Sequence, residues 1–242
     1  MSLNKNYYFI SDVHLGLHSN EIERETEKKL VNFLDFAKET CDELFIIGDL
    51  FDFWFEYKRV IQKGFIRTLS KLSELPEAGK KVHYIIGNHD FLHRDFFEKE
   101  IGVFLYHDPL DILLNDKKFF LAHGDGLVKN DLGYKILKKI LRNKSLQRIY
   151  SLVHPDLGIK IASATSKTSR DYTSTKNYGE IDGLFESAKI KIDSGFDYVM
   201  FGHSHRRTFK KYNKGTYINL GSWLELPCYG KFNDSFEIID WE

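Results

Sequence analysis

Five short polar motifs, each directly after a short apolar run, constrain this chain more than any other feature. They are Asp12-Val13-His14, Gly48-Asp49, Gly87-Asn88-His89-Asp90, His123-Gly124-Asp125 and Gly202-His203-Ser204-His205. The runs before them, at 7–10, 44–47, 82–86, 119–122 and 198–201, have the length and content of buried β-strands. Helical patterns separate the first three strands. One holds Leu30, Phe33, Leu34 and Ala37; the other holds Val60, Ile61, Phe65, Leu69 and Leu72. Strands and helices alternating at this spacing predict βαβ crossovers. The motifs then gather where parallel strands end, the edge at which an α/β sheet presents its chemistry.

The second half changes character. Runs at 112–114 and 119–122 flank Asn115-Asp116-Lys117, which predicts a hairpin turn. A helix is expected at 180–191, and 216–220 and 235–239 resemble short antiparallel strands. Together these predict a mixed α/β class: one mixed sheet or two packed sheets, with helices outside.

One stretch departs from the alternation. From 132 to 170 the pattern is helical, and nine basic residues, among them Lys135, Lys138, Arg142 and Arg148, face a single acid, Asp156. Interleaved are Ile136, Leu137, Ile140, Leu141, Ile149 and Leu152. Such a segment is either a surface helix pair with a solvated cationic face, or an inserted lid. A lid of this composition would grip an anionic, partly apolar ligand or rest on an acidic membrane surface.

The bulk numbers narrow the classes. The 242 residues suit one domain, 1–242, with the basic segment inserted in it. Basic and acidic residues balance at 35 each, against the overall excess of a nucleic-acid binder. Cys41 and Cys228 belong to no CxxC pair, so no disulfide framework and a reducing, cytosolic setting are expected. No signal-peptide pattern opens the chain, and no run approaches the ~18 apolar residues that span a bilayer. A soluble chain is expected.

The motif residues themselves offer carboxylates, imidazoles and one amide, with no thiolate. That set suits hard or borderline divalent cations such as Mn²⁺ and argues against a structural zinc site. Asp12 and His14 lie two apart after a strand, so both can point the same way. Asp49 and Asn88 each follow a glycine that lets the backbone turn closely. Any one motif is weak, since Asp after a strand is often a helix cap and Gly-Asn is an ordinary turn. Five in order at strand ends are a constellation, and two close cations held there would hydrolyse phosphate esters.

The series DxH, GD, GNH, a later His and GHxH resembles the calcineurin-like metallophosphoesterases, over Asp12 to His205. The resemblance implies two packed mixed sheets flanked by helices, in αββα order, with a helical lid insertion. It implies two divalent ions, with Asp12, His14, Asp49 and His205 holding one and Asp49, Asn88, His123 and His203 the other. His89 would be the catalytic group that stabilises the transition state or donates a proton, and Asp90 would orient its ring. Two ions about 3.5–4 Å apart would activate a shared water for direct attack, with no phosphoenzyme.

Further letters resemble one branch, the UDP-2,3-diacylglucosamine pyrophosphatases of lipid A biosynthesis. They are Gly48-Asp49-Leu50-Phe51-Asp52-Phe53-Trp54, Asp90-Phe91-Leu92, the Asp131-Leu132-Gly133-Tyr134 that follows the HGD motif, and Asn219-Leu220-Gly221-Ser222-Trp223. A basic helical insertion is also shared. That branch implies cleavage to UMP and an acylated sugar 1-phosphate at the inner membrane's cytoplasmic face. Asn88, His89, Asp131, Tyr134, Ser166, Lys167 and His203 would contact the substrate. His89 stands where the branch carries Arg, in GNRD. Other nucleotide-sugars, cyclic nucleotides or phosphomonoesters, and a non-catalytic scaffold, remain competing expectations.

Overall fold

The computed structural model of the chain describes residues 4–18, 20–127, 143–158, 160 and 183–242. Strands β1 (Tyr7–Ile10), β2 (Glu43–Ile47) and β3 (Lys81–Ile85) pair in parallel, with β4 (Phe104–Tyr106) beyond β3. Helices α1 (Asn20–Thr40) and α2 (Ile66–Glu77) make the two crossovers. Strands β10 (Cys228–Phe232) and β11 (Phe236–Asp240) complete this sheet in the order β11-β10-β1-β2-β3-β4. The second sheet runs β5-β6-β7-β9-β8, from β5 (Leu110–Leu114), β6 (Lys117–Ala122), β7 (Tyr198–Phe201), β8 (Thr208–Tyr212) and β9 (Gly215–Asn219). Helix α3 (Lys144–Tyr150) belongs to the basic insertion and α4 (Gly183–Asp193) precedes β7.

Strand alternation explains the layers. On β1 and β2, Tyr7, Phe9, Phe45 and Ile47 face the second sheet and meet Phe119, Leu121, Met200 and Ile218. The intervening Tyr8, Ile10, Leu44 and Ile46 face outward, against Leu30, Phe33, Leu34, Leu69 and Leu72 of α1 and α2. Both faces are covered, so these strands read as unbroken apolar runs. On the far side Phe120, Val199 and Phe201 pack under Leu184, Ala188 and Ile192 of α4. The result is the αββα sandwich that the motif series implied. Cys41 and Cys228 are both buried and unbridged.

Three expectations are corrected here. Val60 and Ile61 do not extend α2, because Gly64 turns the backbone through a φ of +110° and the helix begins at Ile66. The hairpin turns on Asn115 and Asp116 alone, both left-handed, and Lys117 already belongs to β6. The run at 216–220 is only partly antiparallel, since β9 pairs in parallel with β7 and antiparallel with β8.

One buried polar group sits at the opposite end of β2 from Asp49. The Glu43 carboxylate meets His83 Nε2 at 3.0 Å and Lys5 Nζ at 3.1 Å. The His83 hydrogen bond, helped by Lys5 and opposed by burial, holds its pKa down at about 2 from an ordinary 4.5. A depressed carboxyl contributes stability that is complete above the unfolded pKa and lost as pH falls through the folded one. Glu43→Gln should therefore lower stability most above pH 5, by on the order of 2–3 kcal/mol. The gap should close as pH falls towards 2, which thermal melts across that range would measure.

Candidate metal centre

Asp12 and His14 leave the end of β1, Asp49 leaves β2, and Asn88 and His89 leave β3. His123 leaves β6, and His203 and His205 leave β7. Backbone hydrogen bonds knit these ends together: Asp12 N to Gly48 O at 3.2 Å, His14 N to Asp49 O at 3.0 Å, and Gly202 N to His123 O at 2.9 Å. Glycines make the approach possible. A Cβ on Gly87 would run into Asp49 Oδ1, and one on Gly48 would strike the His123 ring.

The backbone at the motif residues is strained. Among the described residues, eight other than glycine have left-handed φ, and five of them are Asp12, His14, Asp49, His203 and His205. The other three, Asn115, Asp116 and Asn213, lie in turns between strands. Left-handed residues other than glycine each cost about 1–3 kcal/mol and persist where surroundings over-determine them. Here the strain turns each side chain inward at a strand end.

Candidate ligand atoms cluster in two sets bridged by a third. Asp12, His14 and His205 offer atoms within 4.8 Å of one another, as do Asp49, His123 and His203. His14, Asp49 and His89 form the linking group. Asn88 Oδ1 lies 2.9 Å from His123 Nε2 and 2.7 Å from His203 Nδ1, which adds the amide oxygen to the second set. The Ile47 carbonyl, which can only accept, holds the Nδ1 proton of His123 at 2.9 Å. That bond leaves Nε2 facing Asp49 Oδ2 at 3.1 Å.

The donors fit cations better than they fit one another. His14 Nε2 and His205 Nε2 face each other at 3.0 Å, and Asp12 Oδ2 is buried with no hydrogen-bond donor among the described residues. Asp12 and Asp49 are 0% and 1% exposed. Burial pushes the Asp49 carboxyl up, yet the imidazoles of His123, His89 and His14 hold it well below the usual carboxylate range. Burial would lower His123, but Asp49 above all keeps it up at about 10. Burial, with the charge of His123, presses His203 down to about 4. Buried carboxylates that must retain an imidazolium are a site that calls for positive charge.

The Calcineurin-like phosphoesterase family profile matches residues 6–207 of this chain. The chain belongs to the calcineurin-like phosphoesterases. Two curated relatives are named UDP-2,3-diacylglucosamine hydrolase. The Porphyromonas gingivalis protein is 27% identical over 96% of both chains. The Haemophilus influenzae protein is 32% identical over 90% of this chain and 91% of its own. Among solved structures, an archaeal phosphodiesterase shares the fold at a TM-score of 0.51 and 13% identity, over 97% of this chain and 99% of that one.

Calcineurin-like phosphoesterases use divalent metals, and this member brings its candidate ligand residues together at one edge. Asp90 is the exception among the motif residues. Its carboxylate does not orient the His89 ring, because both oxygens are taken. Oδ2 accepts from Leu50 N at 2.8 Å, Phe51 N at 3.4 Å and the Tyr84 hydroxyl, and Oδ1 accepts from Gly87 N at 2.8 Å. The His89 ring leans on Asp52 instead, with Nδ1 3.1 Å from its carbonyl and 3.6 Å from its carboxylate. The same carboxylate oxygen lies 3.7 Å from His14 Nδ1. Asp131, Tyr134, Ser166 and Lys167 lie outside the described residues.

Two supporting residues, Asp52 and Asn219, stand in the sequence only as letters of the branch pattern, with no role attached. Asp52 is nearly buried, and its own N–H donates to the Leu15 carbonyl at 2.9 Å, which sets it beside His14. Its signal was a second Asp three positions after Asp49. Asn219 ends β9 fully buried and donates to Gly202 O at 2.7 Å and Ser204 Oγ at 2.9 Å, fixing the loop that carries His203 and His205. It follows an apolar run just as the ligands do. Metal-stripped protein should take up two equivalents of Mn²⁺, with stabilisation of about 2.7 kcal/mol per site at a hundredfold excess over Kd. Asp12→Ala should bind one equivalent and Asp49→Ala neither tightly, as elemental analysis and thermal melts would show.

Proposed function

We propose that this chain is a two-metal hydrolase that cleaves the diphosphate of UDP-2,3-diacylglucosamine, giving UMP and 2,3-diacylglucosamine 1-phosphate. The observation that carries the reading is the complete ligand edge in a chain whose Porphyromonas gingivalis and Haemophilus influenzae relatives of that name match it over 96% and 91% of their length. In this reading Asp12, His14, Asp49 and His205 hold one cation, and Asp49, Asn88, His123 and His203 hold the other, with Mn²⁺ suited to the mixed oxygen and imidazole set. Such a pair supplies Lewis-acid polarisation of the phosphoryl group and lowers the pKa of water.

The chain's own groups do the rest. Asn88, His89 and His203 face the phosphoryl group, and Asp49 is shared between the two ligand sets. His89 is neutral at rest because burial lowers its pKa. Its Nδ1 proton is directed to the Asp52 carbonyl, so Nε2 is the nitrogen that would meet the substrate. An arriving diphosphate, being anionic, offsets the burial and lets Nε2 take up a proton. It then donates a hydrogen bond to the leaving phosphate oxygen. That leaving group has a pKa of about 6 and needs a hydrogen bond more than full protonation. Histidine can therefore serve where an arginine would.

The insertion supplies the lipid side of the proposal. Among its described residues Leu146, Ile149, Leu152 and Leu157 are 45%, 63%, 85% and 54% exposed, next to Arg148. Leucine and cation together suit an acyl substrate and an acidic bilayer face. Among the described residues no helix is long and apolar enough to cross a membrane, so contact would be peripheral. Ile149→Asp with Leu152→Asp should weaken pelleting with phosphatidylglycerol vesicles.

The decisive assay is hydrolysis of UDP-2,3-diacylglucosamine with Mn²⁺ in ¹⁸O-water. Release of UMP carrying the label is expected, from attack at the phosphorus nearest uridine. Turnover of cyclic nucleotides or p-nitrophenyl phosphate with the lipid untouched would overturn the reading. His89→Ala should lower kcat about 10²–10⁴-fold.

A further inference from the structure

Tyr84 lies on β3, fully buried, with its ring edge-on to His93 at 5.1 Å and Phe97 at 5.4 Å. A phenol in such apolar surroundings needs a partner for its hydroxyl. It finds one in the Asp90 carboxylate, itself fully buried. Asp90 in turn receives Leu50 N and Phe51 N, which follow Asp49, and Gly87 N, which precedes Asn88. One carboxylate thus clamps the loop after β2 to the loop after β3, and among the described residues Tyr84 is its only side-chain donor.

The clamp has no slack. Gly87 and the Asp49 carboxylate are already too close for a Cβ between them. Asp49 Oδ1 is fixed by His89 N at 2.9 Å, so Oδ2 is the oxygen turned towards His123. Asn88 Oδ1 is wedged between His123 Nε2 and His203 Nδ1. Sliding either loop would move Asp49 and Asn88 relative to each other, the two oxygen ligands of the second set. The first set shares Asp49, but its other ligands, Asp12, His14 and His205, make no hydrogen bond to Asp90, whereas Asn88 serves the second set alone.

We propose that Tyr84 is a positioning residue: by donating to Asp90 it fixes the spacing of the Asp49 and Asn88 loops and so sets occupancy of the Asp49–Asn88–His123–His203 metal position. This rests on the two-metal reading of the site but not on the identity of the substrate. The phenol suits the task because burial raises its pKa well above the ordinary value, so it stays a donor at working pH. Removing such an outer partner typically costs about 10–100-fold in metal affinity.

The test is Tyr84→Phe in the full chain, with Thr68→Val as a control. Thr68 is another fully buried hydroxyl of the same layer, bonded to Glu27 and remote from the strand ends. Mn²⁺ stoichiometry, the EPR signal of the coupled Mn²⁺ pair, and turnover of both the UDP-lipid and bis(p-nitrophenyl) phosphate are measured. Tyr84→Phe should need about 10-fold more Mn²⁺ to fill the second position and lose coupled signal at limiting metal. Its kcat should fall with KM little changed, while Thr68→Val loses only Tm. Asp90→Asn should be worse, and the double variant no worse than Asp90→Asn. Full coupled signal and unchanged kcat in Tyr84→Phe, or additive losses in the double variant, would overturn the proposal. Metal data as expected with no lipid turnover would support it while refuting the substrate.

Discussion

Two carboxylates with almost no access to water, Asp12 and Asp49, govern this fold's working edge. Leaving even one such charge uncompensated costs several kcal/mol, so everything around them is a response to that demand. Backbone N–H groups of His203 and His89 reach one oxygen of each. The imidazoles of His123 and His14 approach the other oxygen of Asp49, and those of His205 and His14 approach the same Asp12 oxygen that His203 N reaches. Without cations the arrangement is satisfied only by keeping His123 protonated and by facing nitrogen to nitrogen at His14 and His205. The same demand explains why the sandwich brings β1, β2, β3, β6 and β7 to end together. Only backbone turning back at a strand end can supply so many donors and ligands in so small a volume.

Chemistry and support divide cleanly along the chain. Residues that would touch the phosphate or its metals sit within four positions of a strand end. Residues that hold them there come from elsewhere: Asp52 from the loop after β2, Tyr84 from inside β3, Asn219 from the end of β9. Each reaches its target by one or two hydrogen bonds from a buried position. Buried polar networks of this kind rigidify a site when every member is satisfied. The His89 ring illustrates the benefit, since its bond to the Asp52 carbonyl fixes its tautomer.

The ligands were legible in the sequence because each followed a run of four or five apolar residues, a signal local to the chain. The central strands were legible for the same reason. What escaped notice acts over distance or in short pieces. Asp90 was assigned to its neighbour His89, but its partners lie up to 40 residues away, and no spacing rule joins Asp90 to Leu50. β4 has three residues, too few to show a period, and β8 and β10 lie outside the parallel core, where Lys210, Lys211 and Lys231 break the apolar pattern. Val60 and Ile61 matched a helical period by chance, and Gly64 decided otherwise.

The left-handed backbone at Asp12, His14, Asp49, His203 and His205 has a consequence for anyone who would engineer this protein. Glycine occupies that region without penalty, so the residues least favourable to the fold are the ones the chemistry requires. A search for thermostable variants would drift towards glycine at these five sites and select inert scaffolds. Stability and reactivity compete here at individual, nameable dihedral angles. A stabilised catalyst has to be sought in the aromatic layers between and outside the sheets, leaving the strand ends as they are.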